Sequence, residues 1–130
     1  MKTIIAGSRD FGIKHFSNYR TCLDTFESTM NEIPWNITQV LSGGARGADT
    51  LGEMWASSNS VPLTRYPAQW TSFGKAAGYI RNEEMAKNAE ALIAFWDGES
   101  KGTKHMIDTA KKRGLTIHVM RTDQEVTNEQ

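Results

Sequence analysis

Three short stretches combine glycine with groups that bind anions: "GSRDF" at Gly7–Phe11, "SGGARGAD" at Ser42–Asp49, and "DGESKGTK" at Asp97–Lys104. Glycines let backbone N–H groups come close to an anion, and a helix N-terminus adds partial positive charge. Gly43, Gly44 and Gly47 stand between a strand-like run, Ile37–Leu41, and a helix-like run reaching about Ser58, the order a phosphate-holding turn needs. Gly7, Gly98 and Gly102 occupy the flanking stretches. Arg9, Arg46 and Lys104 supply charge, Ser8 and Thr103 supply hydroxyls, and Asp49 supplies a carboxylate. The plainer alternative for each stretch is a tight turn that binds nothing. Ala45 follows Gly44, so the spacing is not the dinucleotide G-x-G-x-x-G, and no Lys-Ser/Thr pair follows Gly47, so it is not a Walker A loop. No cofactor is expected.

These stretches must be held by the elements around them. Thr3–Ala6 is a short apolar run ending at Gly7, which reads as a buried first strand. Phe16, Tyr19, Leu23, Phe26 and Met30 form one helical stripe. Ile37–Leu41 is the second strand, and the helix after it carries Ala48, Leu51 and Trp55, with Gly52 allowing close approach to a sheet. Val61–Tyr66 is the third strand. Pro62 cannot donate to a ladder, which puts that strand at an edge. Gly74 and Gly78 bracket the start of a third helix reaching about Ala89. "ALIAFW", Ala91–Trp96, is a central strand. A last helix stops at Lys111-Lys112-Arg113-Gly114, and Leu115–Met120 is the fifth strand. Alternating strands and helices predict an α/β, Rossmann-like domain, a five-stranded parallel sheet of order 3-2-1-4-5 with helices on both faces. In that order the three glycine stretches emerge at one end of the sheet, where ligands bind.

The 130 residues suit one domain, spanning 1–121, followed by a polar tail, 122–130. Lys+Arg and Asp+Glu are balanced at 15 each, which argues against a dedicated duplex nucleic-acid binder. The lone cysteine, Cys22, excludes an internal disulfide, and no signal peptide or membrane-length apolar run is seen. A cytoplasmic protein without membrane contact is expected. His15, His105 and His118 lack ligand spacing, so no metal site is expected. Phe11 and Trp70 are aromatics that either stack on a base or fill grooves.

"IIAGSRDF", "VLSGGARGADTLGEMWA", "AAGYIRNEEM" and "ALIAFWDGESKGTKHMIDTAKKRGL", in that order, resemble the YspA (cpYpsA-related) branch of the SLOG superfamily. The resemblance runs from about Lys2 to Val119. It implies a Rossmann-like domain for nucleotides or nucleotide-derived signals, related to DNA-processing protein A and to the Lonely Guy phosphoribohydrolases. Members of this branch often occur near bacterial or phage conflict systems.

The Lonely Guy enzymes cleave the N-glycosidic bond of nucleoside monophosphates. Arg81 in "GYIRNEEM" matches their helix arginine, with Asn82 where they carry lysine. Their glycine–threonine loop is matched at Gly102-Thr103, but Met106 stands at the position of their catalytic glutamate. Asp108 is two residues on, roughly 200° around a helix, and cannot replace it. Arg81 and Glu84 are the catalytic candidates, with Glu83 and Asp49 as further carboxylates. The leading expectation is a domain that binds a nucleotide-derived molecule, ADP-ribose-like or a cyclic nucleotide, to sense or sequester it. A phosphoribohydrolase and a single-stranded nucleic-acid module are the alternatives. Related folds also imply a possible homo-oligomer.

Overall fold

In the computed structural model, residues 1–13 and 18–123 are described. Phe16 and His15 therefore lie outside the described residues, as does most of the tail. The described strands are β1 (Lys2–Gly7), β2 (Gln39–Ser42), β3 (Leu63–Arg65), β4 (Ala91–Trp96) and β5 (Thr116–Arg121). They form a parallel sheet of order β3-β2-β1-β4-β5, the order expected from the alternation of elements.

Strand periodicity divides the core. Ile5, Val40, Ile93 and Phe95 face one side, where α1 (Tyr19–Glu32) and α2 (Ala48–Ser58) cover them. Ile4, Leu41, Leu92 and Ala94 face the other, against α4 (Ala77–Asn88) and α5 (Lys101–Lys112). Both faces of β1 and β4 are buried, which explains their unbroken apolar runs. Gly52 lets α2 lie on β1: a Cβ there would stand 2.7 Å from the Ile5 side chain.

Two elements differ from expectation. β2 starts at Gln39 rather than Ile37, and Ile37 packs against the core from outside the ladder. β3 shrinks to Leu63–Arg65, yet the Pro62 carbonyl still accepts the Val40 N–H at 2.9 Å. Proline lacks only the donor, so it can close the edge ladder from its acceptor side. The third expected helix is α4, which starts between Gly74 and Gly78 and runs unbroken to Asn88; a single turn, α3 (Trp70–Phe73), and a 3₁₀ turn, Gly74–Ala76, precede it.

Candidate functional site

At the carboxyl ends of the two central strands the chain is stitched together by Ser8, which is buried. Its N–H donates to the Phe95 carbonyl at 3.0 Å, its hydroxyl accepts the Asp97 N–H at 3.3 Å, and its carbonyl accepts the Ala48 N–H at 3.3 Å. One residue thus joins the loops after β1 and β4 to the start of α2. The expected convergence of three loops is real, and Ser8 holds it.

The glycine turn serves this joint. Gly47 has φ +82°, and a Cβ there would collide with the Ser8 carbonyl oxygen and stand 2.5 Å from that of Arg9. Gly43 lies under the Arg81 guanidinium, where any Cβ would also come within 2.9 Å of the Asp49 carboxylate. Two of the turn's amides are satisfied internally. The Gly44 N–H donates to Ser42 Oγ at 3.0 Å and the Ala45 N–H to Asp49 Oδ2 at 3.2 Å. Gly43, Gly44, Arg46 and Gly47 do not line the cleft beside them. Arg46 reaches instead to Asp10 at 3.2 Å, in solvent.

That cleft, about 430 Å³, opens between the β1 loop, α4 and the start of α5. Gly7, Ser8, Arg9 and Asp10 form one wall. Trp70, Lys75, Tyr79, Arg81 and Asn82 form the second, and Asp97, Ser100, Gly102 and Thr103 the third. Asp49 enters from α2, and Met106, 1% exposed, lies at the buried base. Trp70 stands at the rim, 52% exposed, with a ring face available for stacking. Tyr79 stacks on His105, ring centroids 4.2 Å apart.

Arg81 is braced for its place. Nη1 donates to the Gly43 carbonyl at 2.6 Å, and Nε donates to Asn82 Oδ1 at 3.0 Å. Asn82 in turn donates to the Gly102 carbonyl at 3.2 Å, tying α4 to α5. The Asn82 amide therefore does a structural job between the two helices. Burial lowers the Arg81 pKa, Asp49 offsets that, and Arg9 adds to it. The guanidinium remains a cation.

Asp49 is only 5% exposed. Burial pushes its pKa up to about 6, against the opposing pull of the Ala45 N–H and of Arg81, while Glu53 adds a little and Arg9 subtracts. A folded-state pKa above the unfolded value favours the fold most at low pH. That advantage is lost as pH rises from about 4 through about 6. At ~1.4 kcal/mol per unit, the parent should lose about 3 kcal/mol relative to Asp49→Asn across that window. Denaturant unfolding of both proteins from pH 4 to 7 checks this, and a constant difference would contradict it.

Asp97 behaves oppositely. Burial works to raise its pKa, but the Ser100 and Glu99 amides and the Ser8 hydroxyl outweigh burial and keep it ionised. Ser100 caps α5 by accepting the Thr103 N–H at 3.3 Å.

Several expected site residues lie elsewhere. Phe11 turns back into the core, where it stacks on Phe95 at 5.0 Å, because the Phe11 N–H closes a turn onto the Ser8 carbonyl. Gly98 faces Arg121 and Asp123, and Lys104 pairs with Asp108 at 2.8 Å on the outer face of α5. Glu84 lines a separate groove with Arg65, Phe73 and Ile80, and Glu83 stands 4.0 Å from both His105 and Arg113. Neither glutamate reaches the cleft. Conversely, Lys75, Tyr79 and Asp97 were not singled out. Asp97 follows the most apolar strand directly, and that was the available signal. Among the described residues no group of His, Cys, Asp and Glu is placed to hold a metal ion. None of their helices is long and apolar enough to cross a membrane.

A family model described as "YspA, cpYpsA-related SLOG family" matches residues 1–73. The Gene 61 protein of Mycobacterium phage D29 is 32% identical over 122 residues, covering 89% of this chain and 93% of that protein. No solved structure matches.

Proposed function

The chain belongs to the YspA, cpYpsA-related SLOG family, and we propose that its cleft binds a nucleotide-derived small molecule of the ADP-ribose or cyclic-nucleotide kind, sensing or sequestering it. Membership of that family points to a nucleotide-related ligand, and the cleft supplies matching chemistry. The observation that carries the proposal is the convergence of Arg9, Lys75 and Arg81 on one cleft at the switch point between β1 and β4. None of the three has a carboxylate within 4 Å among the described residues, so their charge is available to phosphate oxygens. Trp70 and Tyr79 at the rim offer faces to a base. A phage relative suits a role in conflict between phage and host.

A second reading, N-glycosidic cleavage, is favoured by one feature: Asp49, a cleft carboxylate with its pKa raised to about 6. Against it, Met106 stands where the related loop supplies glutamate, and a thioether neither takes a proton nor stabilises a ribosyl cation by charge. The two readings separate in one experiment. The protein is incubated with AMP, other nucleoside monophosphates and ADP-ribose, and free base is followed by chromatography while binding is followed by calorimetry. Binding without release of base above the blank is the expected result. Multiple turnover that Asp49→Asn abolishes would establish the enzyme instead.

A further inference from the structure

Among the described residues the lining of the cleft holds three cations, Arg9, Lys75 and Arg81, and three carboxylates, Asp10, Asp49 and Asp97. With all six ionised that lining carries no net charge, a poor setting for an anion. The three carboxylates are not equivalent. Asp10 is exposed and pairs with Arg46, which does not line the cleft. Asp97 accepts the Glu99 and Ser100 N–H groups at 2.9 and 2.7 Å, bonds that favour its ionised form. Asp49 is buried and accepts the Ala45 N–H through Oδ2. It faces Arg81 from α4, Arg9 from the loop after β1, and Glu53 one turn along its own helix. Glu53 holds its charge, because Ser42 Oγ donates to it at 2.7 Å and Arg65 of β3 donates to it at 2.8 Å through Nη2. Asp49 is therefore the carboxylate that gives way when a further negative charge enters.

We propose that the cleft takes up a proton together with its anion, and that Asp49 receives it. The anion then replaces the Asp49 carboxylate as the counter-charge of Arg81 and Arg9, and one proton passes from solvent to Asp49 for each ligand bound. Oδ2 stays on the Ala45 N–H, so the proton sits on Oδ1, and the neutral acid becomes a donor to the bound phosphate. Asp49 changes from a group that repels the ligand into one that holds it. This rests on the nucleotide-binding reading above and adds the charge state in which the cleft binds. Burial has already pushed the Asp49 pKa of the free protein up to about 6, and a phosphate beside it raises it further. Affinity is therefore greatest below about 6 and falls as pH climbs from there to the higher pKa of the complex.

ADP-ribose is the probe, because its two bridging phosphates keep their charge from about pH 5.5 to about pH 8, whereas a phosphate monoester such as AMP titrates near about pH 6. Calorimetry on the parent should show affinity rising about tenfold or more as pH falls from about 8 to about 6, with proton uptake seen as a dependence of the heat on the buffer. Asp49→Asn mimics the neutral acid. Its affinity should stay level over that range and exceed the parent's at the alkaline end. Carboxyl ¹³C shifts of Asp49 in the parent read the same event without a substitution, and their titration midpoint should move up when ADP-ribose saturates the protein. A parent affinity independent of pH, a pH dependence that survives Asp49→Asn, or an Asp49 midpoint that does not move would overturn the proposal and leave the nucleotide site standing. If ADP-ribose fails to bind the parent at any pH, both fall together.

Discussion

Arg81→Ala should weaken ADP-ribose binding by about ten- to a hundredfold, the equivalent of one charge-assisted hydrogen bond worth ~1.5–3 kcal/mol. The guanidinium spends Nη1 on the Gly43 carbonyl and Nε on Asn82, which fixes it in the cleft wall with Nη2 unspent on either bond. Losing it has a second effect. The buried Asp49 carboxylate loses its nearest supporting cation, so its pKa should climb further above about 6. Unfolding at pH 7 should then cost less by about 1–3 kcal/mol, since the Gly43 carbonyl also loses its donor. Arg81→Lys separates the two effects. It keeps the charge near Asp49, but an ammonium cannot reach both Gly43 and Asn82 while presenting a planar face to phosphate. It should therefore recover stability more than affinity. A folded Arg81→Ala protein that binds like the parent would remove Arg81 from the site.

Gly47→Val should destabilise the protein by about 3 kcal/mol or more, a large fraction of the ~5–15 kcal/mol that holds a small domain folded. Two costs combine. Gly47 has φ +82° and ψ −129°, a backbone region that β-branched residues do not occupy. Its Cβ would also collide with the carbonyl of Ser8 and come within 2.5 Å of that of Arg9. The Ser8 carbonyl accepts the Ala48 N–H, so pushing the loops apart breaks the joint that shapes the cleft. Gly44→Ala is the matched control. Gly44 also has positive φ, +74°, but a Cβ there meets nothing within 4 Å. Its cost should stay near ~1 kcal/mol, with ligand binding retained. Equal destabilisation by the two substitutions in thermal or denaturant unfolding would contradict the role given to Gly47.

The contrast between these two glycines marks how far the sequence could be read. Strand order followed from alternation of elements, from the buried "ALIAFW" run and from Pro62 at an edge, because each is a local pattern with a single packing solution. The meeting of three loops followed from that order. What each glycine admits did not. Sequence shows that Gly47 can take a positive φ, but not that the close approach belongs to the Ser8 and Arg9 carbonyls of a neighbouring loop. Phe11 reads equally as a base-stacking or a groove-filling aromatic, and a turn onto the Ser8 carbonyl returns it to the core. Glu83, two residues beyond Arg81, is turned to another side of α4 beside Arg113, while Glu84, three residues on, shares a groove with Arg81 that is not the cleft. Lys75 lies on the 3₁₀ turn before α4 and lines the cleft, a placement that no motif around it marks.

The most direct test of the central claim is titration of ¹⁵N-labelled protein with ADP-ribose, following each assigned backbone amide. Binding in the cleft should shift Ser8, Arg9, Gly78–Asn82 and Asp97–Thr103 together and saturate with a single dissociation constant. The amides of the last turn of α2, none of which lines the cleft, should stay still. Shifts confined to β3 and the Phe73–Ile80 groove, or no saturable shift at all, would contradict a nucleotide site at the ends of β1 and β4.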